Sequence, residues 1–240
     1  MPSPPVTKRI GHRLPPSAGA LHRVWHNHGL SIVLSALFVF SLTGQTLTGW
    51  RAYNEDQRQH GQETVSLQGY LRTGHFGEAT FENFESEFLQ MACYVLLTAV
   101  LYQRGSSESK RPDVIELVDL DARESPRKDD APWPVRRGGF ILTLYENSLS
   151  LTFAALFLLS FAGHAWTGAV EYSAEQVSHG QSPMTMPEYV ASSQFWFESF
   201  QNWQSEFVSL ALMVVLTIFL RQRGSPESKP VASATWDTGV

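Results

Sequence analysis

The sequence predicts an all-α, polytopic membrane protein with four transmembrane helices in two parallel two-span repeats, and three observations carry that prediction. Leu30 to Lys110 aligns with Leu149 to Lys229 at a constant offset of 119 without a gap, and 33 of the 81 pairs are identical. A period of this kind marks a tandem duplication. Each copy holds two apolar stretches, and lysine and arginine crowd onto alternate connections between them. The mean hydropathy of the whole chain is slightly negative, because apolar and very polar segments alternate and average out.

The spans follow from the distribution of charge. No Asp, Glu, Lys or Arg lies between Arg23 and Arg51 or between Glu146 and Glu171, and both windows exceed the roughly 20 residues a spanning helix needs. The other two spans are Phe88 to Gln103 and Phe207 to Leu220, closed by Arg104-Gly105 and Arg223-Gly224, a basic residue followed by a helix-stopping glycine. A cleaved leader is the competing reading of the first span; its length, the missing small-x-small site and its internal copy speak against it. Fifteen of the 18 Lys and Arg residues fall before the first span, between the second and third, or after the fourth; only Arg51, Arg58 and Arg72 fall on the other side. The positive-inside rule then puts both termini and the central connector in the cytoplasm, with the chain in the plasma (inner) membrane. Two spans per copy make the duplication parallel about the membrane normal.

Along the chain, residues 1–26 read as a disordered cytoplasmic tail, 27–105 as the first two-span repeat, 106–143 as a charged flexible linker, 144–224 as the second repeat and 225–240 as a cytoplasmic tail. The first helix is expected to start near Asn27 to Gly29 and to stop at His60-Gly61. Ser66 and Thr185 read as caps of short helices, with Glu188 at N3 of the second. Phe81, Phe84 and Phe88, like Phe200, Trp203 and Phe207, recur at i, i+3, i+7. That spacing predicts one long helix that runs from the outer interface into the membrane.

The Phe-Glu-Asn-Phe-Glu-Ser-Glu-Phe and Phe-Gln-Asn-Trp-Gln-Ser-Glu-Phe blocks, the two His-Gly-Gln stretches and the paired Gln-Arg-Gly-Ser-x-Glu-Ser-Lys closers resemble a family of bacterial membrane proteins catalogued only as a domain of unknown function. The similarity covers nearly all of residues 27–229. It implies a bacterial membrane setting and the topology above, and it brings no activity.

Polar residues inside the spans are the functional candidates, because an ionisable group in hydrocarbon needs a partner or a wet cavity. Glu87 and Glu206 fall a little inside the outer edge of their spans, on faces shared with Asn83 and Asn202. Gln45 and His164 occupy matching positions in the first and third spans. Together they predict an outward-facing polar pocket of Glu87, Glu206, His164, Gln45, Asn83 and Asn202, with His164 in contact with Glu206 or Glu87. The alternative is that these groups are hydrogen-bonding glue between helices. Gly44-x-x-x-Thr48 and Gly163-x-x-x-Thr167 provide small residues for close approach. His60 and His179 read as exposed residues at helix ends; His22, His26 and His28 read as interface anchors rather than metal ligands.

No His-Glu-x-x-His, Gly-x-Ser-x-Gly, Walker or Cys-x-x-Cys motif occurs, so nothing supports enzymatic activity. No cofactor is expected, and whether the pocket holds a metal is left open. Net charge of −5 and the lack of a basic groove speak against nucleic acid. The single Cys93 excludes an internal disulfide. The expected partners are the lipid bilayer and either a second copy or another membrane protein. The sequence thus reads as a structural or accessory membrane protein, the alternative being a small transporter or channel whose outward-facing polar pocket handles a proton, metal or small cation.

Overall fold

The computed structural model describes residues 19–124 and 130–239. Among them every α or β element is helical: α1 (Ala20–Gln59), α2 (Leu67–Tyr70), α3 (Gly74–Val100), α4 (Trp133–Arg137), α5 (Gly139–Glu146), α6 (Ser148–Ser178), α7 (Met186–Val190) and α8 (Ser193–Phe219), with a 3-10 turn at Leu117–Asp119. Three of these, α1, α6 and α8, are long and apolar enough to cross a membrane. The fourth expected span lies in α3, where Glu78, Glu82, Glu85 and Glu87 occupy the N-terminal half. That leaves Phe88 to Val100 as its uncharged stretch, about 20 Å of helix.

The chain divides into two units, residues 1–67 and 68–240. In the first, α1 begins at Ala20, earlier than the expected start near Asn27. Gly19 is the last helix-breaking residue before it, and Leu21 to His28 contain neither glycine nor proline to interrupt the ladder. Residues 20–26 of the expected tail are therefore helical, and residues 1–18 lie outside the described residues. The helix ends at His60, where Gly61 takes a φ of +69° and the Gln62 amide reaches back to the Gln57 carbonyl at 2.7 Å. Only glycine adopts that conformation without strain. The chain then folds back: Trp50 Nε1 and Asn54 Nδ2 both donate to the Val65 carbonyl, at 2.8 and 2.9 Å, and Asn54 Oδ1 accepts from the Val65 amide at 2.7 Å.

In the second unit α3 packs along α6 and against α8, with α7 on α6 and α8. Small residues set the α3–α6 contact. A Cβ on Gly74 would lie 2.7 Å from the Glu171 amide nitrogen, one on Gly77 would lie 2.5 Å from the Thr167 methyl, and one on Gly163 would enter the Phe81 ring. This close approach turns polar groups inward: Glu85, Ser86, Gln90, Ser160, His164, Ser199 and Thr217 are buried, while Leu158, Leu159, Trp166, Val208, Leu212 and Phe219 are exposed. Polar side chains inside and apolar ones outside is the arrangement suited to lipid as solvent.

Several local geometries recur 119 residues apart. Gly180 ends α6 with a φ of +73°, and Gln181 bonds Gln176 at 2.9 Å as Gln62 bonds Gln57. Thr73 and Ser192 cap α3 and α8 through the amides of Phe76 and Phe195, each at 3.3 Å. Glu188 accepts from the Thr185 amide at 2.8 Å and closes the capping box of α7.

The connector expected to be a flexible linker is hydrogen-bonded through much of its described length. Ser109 Oγ accepts from the Gln103 amide at 2.9 Å and Ser106 Oγ from the Glu108 amide at 3.1 Å. The second closer repeats this with Ser228 and Gln222 at 2.8 Å, and Ser225 and Glu227 at 3.1 Å. Serine hydroxyls thus supply local partners to backbone that leaves its helix. Lys110 pairs with Asp119 at 2.5 Å and holds its carboxyl below the usual range. Arg123 grips both oxygens of Glu146 at 2.8 and 2.9 Å. Residues 125–129 of the linker lie outside the described residues. The C-terminal segment is also folded. Lys229, 1 % exposed, donates to the carbonyls of Gly105, Thr235 and Asp237, the last two at 3.0 and 2.9 Å. Burial lowers its pKa, with Arg221 adding to the effect.

Candidate functional site

The buried polar residues of the second unit converge on His164. It sits in α6 with no exposed surface, one turn below Ser160 and one turn above Gly168, and its ring stacks on Phe195 of α8 with centroids 4.7 Å apart. Nδ1 lies 2.8 Å from Glu85 Oε2, and Glu85 is itself fully buried. The other Glu85 oxygen accepts from Trp203 Nε1 at 3.0 Å. One carboxylate is thus clamped between an imidazole and an indole. The opposite ring nitrogen, Nε2, faces Glu198 Oε2 at 3.4 Å.

Tyr189 of α7 closes the site from above, packed so tightly on α6 that a Cβ on Gly168 would lie 2.5 Å from its hydroxyl. That hydroxyl is 2.5 Å from Glu198 Oε2 and 3.0 Å from Glu78 Oε1. Burial first, and the bond to Glu198 second, raise the Tyr189 pKa, so the phenol stays a donor. Gln194 Nε2 donates to the remaining Glu198 oxygen at 2.5 Å. Glu82, one turn below Glu78, accepts from Asn202 of α8, and Glu171 accepts from the His75 amide at 2.8 Å. Glu78, His164 and Glu198 each offer a ligand atom within 4.8 Å of the others. The cluster therefore combines a buried imidazole, a group able to ligate a metal, with half-buried carboxylates from two further helices.

The residues expected to form the pocket are distributed differently. His164 has carboxylate partners, but they are Glu85 and Glu198 rather than Glu87 and Glu206. Glu87 is exposed and Glu206 half-buried, and it is the Glu206 backbone carbonyl that accepts from Gln90 Nε2, at 2.9 Å. Asn202 joins the cluster through Glu82, whereas Asn83 is exposed and bonds the Ala79 carbonyl of its own helix at 2.6 Å. Gln45 lies on α1, in the first unit. His60 and His179 each place Nδ1 against a carbonyl one turn back, Asp56 at 3.0 Å and Glu175 at 2.9 Å, and both are exposed helix-end residues.

A signal for the missed carboxylates was present in the aligned copies, though not in the identities. At the offset of 119, Glu78, Glu82 and Glu85 stand opposite Phe197, Gln201 and Gln204, Glu198 opposite Ala79, Glu171 opposite Ala52, and His164 opposite Gln45. The cluster is built where the copies differ in charge. Glu78, Glu82 and Glu85 are also spaced i, i+4, i+7, on one face of α3.

A family model described as a domain of unknown function (DUF6766) matches residues 21–240, and the chain belongs to that family. No curated protein and no solved structure matches the chain.

Proposed function

We propose that this member of the DUF6766 family is a four-span membrane protein, built from two parallel repeats with α3 as the second span, that takes up a cation at the His164 cluster and acts as a small transporter or channel. The observation that carries this reading is the buried His164, bonded to Glu85 at 2.8 Å and flanked by Glu78, Glu82 and Glu198. One imidazole cannot balance four carboxylates, and packing alone is served at lower cost by apolar groups of the same volume. Glu85 precedes Val100, the last residue of α3, by about 22 Å of helical rise, so the cluster lies toward one rim of a hydrocarbon core roughly 30 Å thick. By the positive-inside rule that rim is the outer one. Gln90 Nε2 to Ser209 Oγ, at 3.2 Å, and Tyr94 to Glu108 continue polar contacts from there toward the other end of α3. The competing accessory role treats the same contacts as interhelical glue.

In proteoliposomes the protein should carry a pH- or cation-dependent flux. Glu85→Gln or His164→Gln should abolish it in protein that still purifies as a folded species, whereas Glu87→Gln should leave it largely intact. Absence of flux from the wild type, with both variants changing only detergent stability, would leave the accessory role in its place. Orientation has its own measurement. In a Cys93→Ser background, cysteines introduced between residues 175 and 190 should react with an impermeant thiol reagent added to intact cells. Protection there combined with labelling at residues 111–120 would invert the topology.

A further inference from the structure

We infer that the cluster is a binding site for a divalent first-row transition metal such as Zn2+, with His164 Nε2, Glu198 and Glu78 as ligands and Glu85 as the residue that orients the imidazole. This rests on the cation-handling reading and specifies the cation. Three features of the site carry it.

The first is an excess of acceptors. Nδ1 of His164 faces Glu85 Oε2 and Nε2 faces Glu198 Oε2, with Glu78 Oε1 in the same group. The Tyr189 hydroxyl has one hydrogen for both carboxylates. With a neutral imidazole these three acceptor atoms share the single Tyr189 hydrogen, and a cation between them relieves the repulsion.

The second is the orientation of the ring. A metal-bound histidine characteristically donates its other N–H to a carboxylate that fixes tautomer and plane. Glu85 does this at 2.8 Å and is itself held by Trp203 Nε1 at 3.0 Å. The Nε2 to Glu198 separation of 3.4 Å is long for a hydrogen bond. It matches the ~3.4 Å between two ligand atoms about 2.1 Å from a tetrahedral metal. Two carboxylates neutralise a divalent ion, and a mixed imidazole and carboxylate set suits transition metals better than Ca2+ or Mg2+.

The third is an unsatisfied hydroxyl. Ser199 Oγ is the one buried side-chain polar atom among the described residues without a hydrogen-bond partner, in a residue only 1 % exposed. It lies on α8 between Phe195, which stacks on His164, and Asn202, which bonds Glu82. A buried orphan hydroxyl calls for a water or ion in the complete structure, and this one lies on the α8 face that carries Phe195 and Asn202.

The test uses Co2+ as a spectroscopic probe and Zn2+ as competitor on full-length, detergent-purified protein stripped by chelator. The expected result is one Co2+ per chain, visible d–d absorption of a nitrogen- and oxygen-ligated ion, and displacement by an equivalent of Zn2+. His164→Gln, which installs the residue found at the matching position 45, and Glu198→Gln should each weaken binding at least 100-fold. Glu87→Gln, at an exposed position outside the cluster, should retain the spectrum. Failure of folded wild-type protein to bind either ion, or binding indifferent to both ligand substitutions, overturns the metal assignment. A proton-driven flux that survives that result keeps the cation-handling reading, whereas metal binding without any flux keeps the site and removes transport.

Discussion

Replacing Glu85 by alanine should lower the unfolding free energy of the solubilised protein by about 3–5 kcal/mol, the range for removing one partner of a buried charged pair. The carboxylate serves His164 Nδ1 with one oxygen and Trp203 Nε1 with the other, and Glu85 and His164 are fully buried. Alanine leaves two donors facing a cavity that no side chain can fill. Glutamine at the same place should cost less, because its carbonyl oxygen still accepts from one donor while its amide confronts the other. Denaturant titrations in detergent of wild type, Glu85→Ala, Glu85→Gln and the exposed control Glu87→Ala provide the comparison. A loss under about 1 kcal/mol for Glu85→Ala would mean that the pair is solvated and that the site is not the closed cluster described above.

The second large effect is expected from Gly74→Ala. An added methyl would sit 2.7 Å from the Glu171 amide nitrogen, 2.8 Å from the Thr167 carbonyl oxygen and 3.0 Å from the Glu171 Cα. All three are backbone atoms of α6, so no rotamer change relieves the contact and the two helices must separate. Overpacking of this kind costs about 1–3 kcal/mol, and here it also strains the bond from the His75 amide to Glu171, which is 2.8 Å long. Gly29→Ala provides the contrast. Its methyl would meet nothing nearer than the Trp25 ring at 3.9 Å, and alanine in a helix interior is favoured by about 0.5–1 kcal/mol. Equal unfolding midpoints for the two variants would refute the close α3–α6 approach.

How much of this was legible in the chain differs from element to element. The ends of the long helices were readable because they depend on local chemistry: Gly61 and Gly180 supply a positive φ, and Thr185 with Glu188 forms a capping box within four residues. α1 starts earlier than expected because Gly29 is carried inside the helix and Leu21 to His28 hold neither glycine nor proline, so the helix runs back to Ala20 with Gly19 as its cap. The contacts of the connector were not legible because its charges looked like those of a solvated linker. Their partners are Asp119 for Lys110 and Glu146 for Arg123, 9 and 23 residues away, beyond the reach of any local pattern.

By itself the sequence determined the helical class, the apolar length of α1, α6 and α8, and the burden of carboxylates and of His164 on otherwise apolar stretches. Only the tertiary structure decided which carboxylates meet His164. Sequence fixes depth along a helix, but two residues of separation turn a side chain by about 200° around the axis. Glu85 and Glu87 therefore share a depth and point to opposite sides of α3. Gly74, Gly77 and Gly163 lie on the side that meets α6, where their missing side chains let the two backbones close. In that packing Glu85 is buried against His164 and Glu87 is exposed. Partner choice at a distance of 79 residues is a property of helix packing, and packing is a collective fit of surfaces that no single stretch of sequence contains.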